Sequence, residues 1–237
     1  MAVERQTPVS PTARRRRRGA DAAAGVPAPP SGPRRLLGGG TTGNERLTSA
    51  AGALLIVLLA VIGVTIIRIG QLLWVHMFVG MLLIGPLALK LASTGYRFVG
   101  YYAHNERYVR KGPPPMPLRL LAPLVILSTL VVFASGVALL FVGPSSRGTL
   151  FPIHKLSFFA WAALIAIHVL AHLPEVARSL RADYGRPARG GASAAWSNDL
   201  NGRVGRTLSL SGALVLGAVL AIVLIPQFGP WINNFHH

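Results

Sequence analysis

The sequence predicts an all-α, polytopic membrane protein, in which a four-helix bundle is followed by a fifth, peripheral transmembrane helix. Two observations carry this prediction. The chain of 237 residues is 51% hydrophobic and only 13% charged, and its apolar residues form five long blocks with almost no charge inside them. Each block reaches about the 18 to 25 residues that a helix needs to cross a bilayer.

The five blocks divide the chain into a tail, a bundle, a linker and a last span. Their approximate bounds are Leu47–Ile67, Gln71–Ala92, Leu120–Val142, Leu156–Leu173 and Thr207–Ile225. Residues 1–46 are rich in Arg, Pro, Gly and Ala, and we expect them to form a disordered basic tail. Residues 47–174 hold the first four spans, and 207–237 the fifth span with a short external tail. Between them, residues 175–206 form a cytoplasmic linker, of which 186–205 are expected to be flexible.

The distribution of charge predicts the orientation. Twenty Lys and Arg lie in the N-terminal tail and the two long loops. The two short loops, on the opposite side of the membrane, carry only Arg68, Arg147 and Lys155. The positive-inside rule therefore places the N-terminus and long loops in the cytoplasm and the C-terminus outside. The run Arg14–Arg18 is interpreted as a topology signal that contacts lipid headgroups, so no specific nucleic acid is expected as a partner.

Composition also excludes several cofactors. The chain has no cysteine, which excludes iron–sulfur clusters, covalently attached haem and disulfides. It has neither a Rossmann glycine fingerprint nor a P-loop, so nicotinamide and ATP chemistry are not expected.

Four histidines stand in or beside the apolar blocks: His76, His154, His168 and His172. A histidine in hydrocarbon is costly, and a ring nitrogen that faces a bundle interior is a good metal ligand. His154 and His168 are separated by the same interval as His76 and Lys90, 14 residues, which advance a helix by about 21 Å along nearly one face. This spacing predicts two levels of candidate ligands, at different depths in the membrane.

The two levels are unequal. The predicted topology puts His76 and His154 at similar depth near the outer side, where they could ligate one iron from facing helices. The inner level has His168, His172 and Lys90 but no second histidine on another span. Three interpretations stay open there: a second haem with an unusual partner, a quinol site, or pairing with carboxylates such as Glu175. For Lys90 itself, contact with an anion or with the inner interface is expected.

The stretch from Trp74 to His172 resembles the membrane b-type cytochromes of the bacterial cytochrome b561 and cytochrome b/b6-like group. The resemblance is carried by His76, Lys90, Tyr96-Arg97-Phe98, Gly112-Pro113-Pro114, Arg119, Gly136, His154-Lys155-x-x-Phe158 and His168-x-x-x-His172. It implies non-covalent haem b, with one haem expected and a second left open. Its iron ligands would come from the four histidines, and Arg97, followed by Lys90, would meet the haem propionates.

The same resemblance implies a place in a respiratory chain of the bacterial cytoplasmic membrane. Electrons would pass between quinone and a redox partner subunit such as a molybdopterin oxidoreductase of the sulfite-oxidase type. The chain would then be an electron-transfer subunit of an oxidoreductase more than an enzyme by itself. The departure from the family pattern is Lys90, which stands where a fourth paired histidine is expected.

The main alternative is a cofactor-free transporter or scaffold, in which the histidines relay protons or hydrogen-bond neighbouring helices. A membrane metal reductase is a further alternative, although no flavin or nicotinamide module is visible. The small residues Gly80, Gly85 and Gly136 allow two interpretations, because they would leave room for a flat macrocycle or permit close helix packing.

Overall fold

The computed structural model describes residues 40–109, 116–184 and 193–234, which belong to one compact unit. Its helices are α1 (Gly40–Ile67), α2 (Ile69–Tyr102), α3 (Glu106–Val109), α4 (Met116–Val142), α5 (Leu150–Tyr184), α6 (Ser193–Val223) and α7 (Gly229–Asn234), with 3-10 turns at Pro144–Ser146 and Ile225–Phe228. The predicted all-α polytopic membrane fold is confirmed. Five of these helices (α1, α2, α4, α5 and α6) are long and apolar enough to span a bilayer.

The short connections give the bundle two distinct ends. Arg68 alone separates α1 from α2, and residues 143–149 connect α4 to α5. We call this the short-turn end and the opposite one the long-loop end. Because these connections are short, α1 packs on α2 and α4 packs on α5, which gives two helical hairpins. The two hairpins meet through α1 and α5, whereas α2 does not pack closely along α4 or α5 in the described chain. A space is therefore left between the hairpins.

The fifth spanning helix, α6, packs along α2 through glycine. Pro86 lies inside α2 and has no N–H, so the carbonyl of Leu82 loses its usual helical donor. Gly217 of α6 faces this carbonyl so closely that a Cβ on Gly217 would overlap it, and a Cβ on Gly85 would overlap the carbonyl of Ala213. The missing side chains thus allow backbone-to-backbone contact of the kind that joins membrane helices. Gly85 serves helix packing.

The chain after α6 crosses the short-turn end and connects α2 with α4. Phe228 is 1% exposed and meets the ring of Trp74 on α2 edge-on at 6.2 Å. Trp231 in α7 donates its indole N–H to the carbonyl of Leu139 on α4, at 3.2 Å. We call residues 225–234 the C-terminal strap.

Several helices extend beyond the predicted bounds, and this corrects two assignments. The disordered tail was expected to reach residue 46, but α1 begins at Gly40. Its first turns are held by α2, where Ser93 accepts a hydrogen bond from Asn44 at 2.9 Å and Arg97 pairs with Glu45 at 3.4 Å. Residues 1–39 lie outside the described residues.

Most of the cytoplasmic linker predicted over residues 175–206 is helical, so the flexibility expected over 186–205 is wrong for residues 193–205. Residues 175–184 continue α5 and residues 193–206 begin α6, while residues 185–192 lie outside the described part. Charged side chains end an apolar run without interrupting helical hydrogen bonds. Hydropathy therefore locates the membrane-spanning part of a helix and not the end of the helix.

Candidate functional site

A cavity of about 440 Å³ lies between the two hairpins and contains both His76 and His154. It is lined from α1, α2, α4, α5 and the C-terminal strap, and α6 contributes no residue to the lining. The walls are mainly apolar, with side chains such as Ile62, Phe133 and Phe158. The volume falls within the range of small-molecule and cofactor sites in proteins.

His76 is fixed by α1. Its Nδ1 lies 3.0 Å from the hydroxyl oxygen of Thr65, a residue that is 1% exposed. That hydroxyl donates its single proton to the carbonyl of Ile62, at 2.7 Å. Because the Thr65 oxygen can then only accept, we assign the His76 ring proton to Nδ1. The Nε2 lone pair is left uncommitted.

His154 has the same arrangement on the opposite wall. Its Nδ1 lies 3.1 Å from the carbonyl of Val132 and 3.0 Å from the hydroxyl oxygen of Ser135, both on α4. A carbonyl has no proton to give, so Nδ1 of His154 must be the donor. Its Nε2 is therefore also unprotonated.

Neither Nε2 atom has a protein partner among the described residues. Every fully buried side-chain N or O atom of those residues has a hydrogen-bond partner, so the two Nε2 atoms are not fully buried. A histidine that ligates a metal through one nitrogen almost always donates its other N–H to the protein, as His76 and His154 do. The alternative interpretation also expects cross-helix hydrogen bonds from these rings.

The three glycines singled out in the sequence have separate roles. A Cβ on Gly136 would lie 3.1 Å from Cε1 of His154, so the missing side chain gives the imidazole its place against α4. A Cβ on Gly80, one turn after His76, would meet no atom within 4 Å, and Gly80 lines the cavity. Gly136 and Gly80 thus shape the cavity, whereas Gly85 packs on α6.

Four residues of this site were not assigned to it from the sequence: Thr65, Ser135, Lys155 and Trp231. Lys155 and Trp231 line the cavity, and the two hydroxyl residues orient the histidines. A threonine and a serine in apolar helices were the available signal, because buried hydroxyl groups need partners. The rotation of each helix decides which partner they find, and the sequence does not determine it.

At the long-loop end, Lys90 is bound to α1. Its ammonium donates to the carbonyl of Thr48 at 2.8 Å, and a Cβ on Gly52 would come within 3.1 Å of Nζ. The hydroxyl of Thr48 also contacts that of Ser93, at 2.9 Å. Lys90 is therefore one of several polar contacts that hold α1 to α2, and it lines no part of the cavity.

The other predicted site residues also lie away from the cavity. The rings of His168 and His172 are 4.7 Å apart on one face of α5, and His172 Nδ1 lies 3.8 Å from the exposed carboxylate of Glu175. Arg97 pairs with Glu45. The pairing with Glu175 matches one of the three interpretations of the inner histidines.

The described residues contain no group of three or more His, Asp or Glu that could hold a metal ion. The cavity instead offers two imidazoles from different helices within an apolar wall. Two such ligands suit a metal whose remaining positions are filled by a macrocycle, as in haem proteins. His76, His154 and the apolar wall are the residues that would hold such a group.

A scan against protein-family models and searches of curated proteins and of solved structures each found no match to this chain.

Proposed function

We propose that this protein is a membrane cytochrome that binds one haem b between α2 and α5 and transfers electrons. The observation that carries the proposal is that His76 and His154 enter one apolar cavity with Nδ1 engaged and Nε2 free. The iron of a bound haem b takes up and releases one electron. The role of the chain is to supply two imidazoles, exclude water and surround the group with a low dielectric.

The proposal of a single haem rests on the contrast between the two ends. At the long-loop end, both histidines come from α5, and the facing position on α2 is Lys90, whose ammonium is already bound to Thr48. Iron ligation by Lys90 would require that contact to break. His168 and His172 remain candidate ligands only for a second haem.

We further propose that the chain works in the bacterial cytoplasmic membrane, with its long-loop end in the cytoplasm and its C-terminus outside. The excess of Lys and Arg in the tail and long loops supports this orientation. Membrane quinone and a redox partner subunit, such as a molybdopterin oxidoreductase of the sulfite-oxidase type, are the proposed electron partners. They follow from the family resemblance alone.

Absorption spectroscopy tests the proposal directly. The full chain is produced in a bacterial membrane with ample haem, purified in detergent, and measured as reduced-minus-oxidised spectra with a pyridine haemochrome count. We expect Soret and α bands of haem b and a stoichiometry near one haem per chain. Protein that is folded and carries no haem would refute the cytochrome proposal and favour the cofactor-free alternative.

The hydroxyl partners of the histidines provide a graded prediction. Thr65→Val removes the only acceptor of His76 Nδ1–H, so we expect haem affinity to fall by about 10- to 100-fold. Ser135→Ala should have a smaller effect, because the Val132 carbonyl still accepts from His154. Haem titration of the purified variants measures both effects.

Thr207→Val is the matched control, since the Thr207 hydroxyl donates only to Arg203 within α6. Its affinity should equal that of the parent. Equal losses in the Thr65 and Thr207 variants would contradict the proposed role of Thr65.

A further inference from the structure

Lys155 is the one lysine or arginine among the described residues that line the cavity. It follows His154 directly in α5, and its side chain is exposed at the short-turn end. Exposed rings of Phe151 and Phe159 line the cavity beside it, so this wall opens to the surroundings of the bundle. Lys155 thus lies in an exposed part of the cavity wall.

Among the described residues, no Asp or Glu lies at this end to pair with Lys155. No Asp or Glu occurs between residues 46 and 105, between residues 107 and 174, or after residue 199, and these ranges include the whole short-turn end. Glu45, Glu106 and Glu175 all lie toward the long-loop end. A cation at the edge of an apolar site, with no Asp or Glu beside it among the described residues, suits a ligand that carries an anion at its edge.

We infer that Lys155 pairs with a carboxylate of the ligand held in this cavity, and so sets the carboxylate edge of a tetrapyrrole toward the short-turn end. This inference rests on the proposed haem binding. It assigns to Lys155 the contact with haem propionates that was expected of Arg97 and Lys90. The apolar body of the macrocycle would lie among the cavity walls, and its charged edge would stay near water, where desolvation costs least.

The test compares two forms of the ligand. Full-length protein is produced without haem and titrated in detergent with haem b or with its dimethyl ester, which lacks the carboxylates. Parent protein should bind haem b about tenfold more tightly than the ester, the size expected for a charge-assisted hydrogen bond. Lys155→Met should lose this preference by binding haem b about tenfold more weakly and the ester unchanged.

Arg147→Met is the control, because Arg147 lies at the same end but does not line the cavity. It should retain the preference for haem b. A parent protein that binds both forms equally would overturn the inference and leave haem binding intact. So would a Lys155 variant that weakens both forms equally, as expected if the ammonium held a lipid phosphate. Failure of the parent to bind either form would overturn the proposed function and this inference with it.

Discussion

Replacing either His76 or His154 by alanine should abolish the same haem species. Both rings line one cavity and have an uncommitted Nε2, so in the proposed site loss of either would leave the iron with a single protein ligand. Because loss of a mere hydrogen-bond partner of a ligand costs about 10- to 100-fold in affinity, loss of the ligand itself should cost at least about 100-fold. Haem content per purified chain and the reduced-minus-oxidised spectrum measure the effect.

Two further sets of variants separate ligation from folding. His168→Ala and His172→Ala remove histidines that do not line the cavity, and the spectrum of the cavity haem should survive in both. His76→Gly and His154→Gly leave a gap of imidazole size, so added imidazole should restore haem binding if the fold is intact. Survival of the original spectrum in either cavity variant would refute the proposed pair.

Much of the architecture could be predicted because it depends on length and hydropathy alone. An apolar run long enough to cross a bilayer has few options other than a helix, since each backbone polar group must be satisfied internally. The five spans followed from this constraint. The similar depth of His76 and His154 followed from the topology and a fixed rise per residue, and their position in one cavity agrees with it.

What could not be predicted depends on the rotation of the helices. A small residue in a membrane helix permits a close neighbour or leaves a space, and the sequence does not distinguish the two. Gly85 meets the backbone of α6, whereas Gly80 faces open space. For the same reason, Lys90 could not be assigned to the carbonyl of Thr48, which lies 42 positions earlier in the chain.

The C-terminal strap is a second case in which local sequence was insufficient. Tryptophan near the end of a membrane helix is typical of an interfacial anchor, and a residue in that role needs no contact with the bundle. In the structure Trp231 is 7% exposed, bound to Leu139 and part of the cavity lining. Its position depends on where α6 packs, and that depends on the glycine contact near Pro86.

Filling the cavity without removing a histidine should also weaken haem binding. Gly80 lines the cavity, and a Cβ there would meet nothing within 4 Å, so the ring of a Gly80→Phe variant can enter the space. The ring and a macrocycle would then compete for one volume, and accommodating both would force the packing apart. We expect haem content to fall at least about tenfold while His76 and His154 remain in place.

Gly212→Phe provides the comparison that isolates the cavity. Gly212 lies on α6, is exposed, and would also have no atom within 4 Å of a Cβ, but it does not line the cavity. This variant should bind haem like the parent. The haem-free Gly80→Phe protein should be at least as stable to heat as the haem-free parent, because filling a cavity with an apolar ring stabilises a fold. Full haem content in Gly80→Phe would contradict the assignment of this cavity as the haem site.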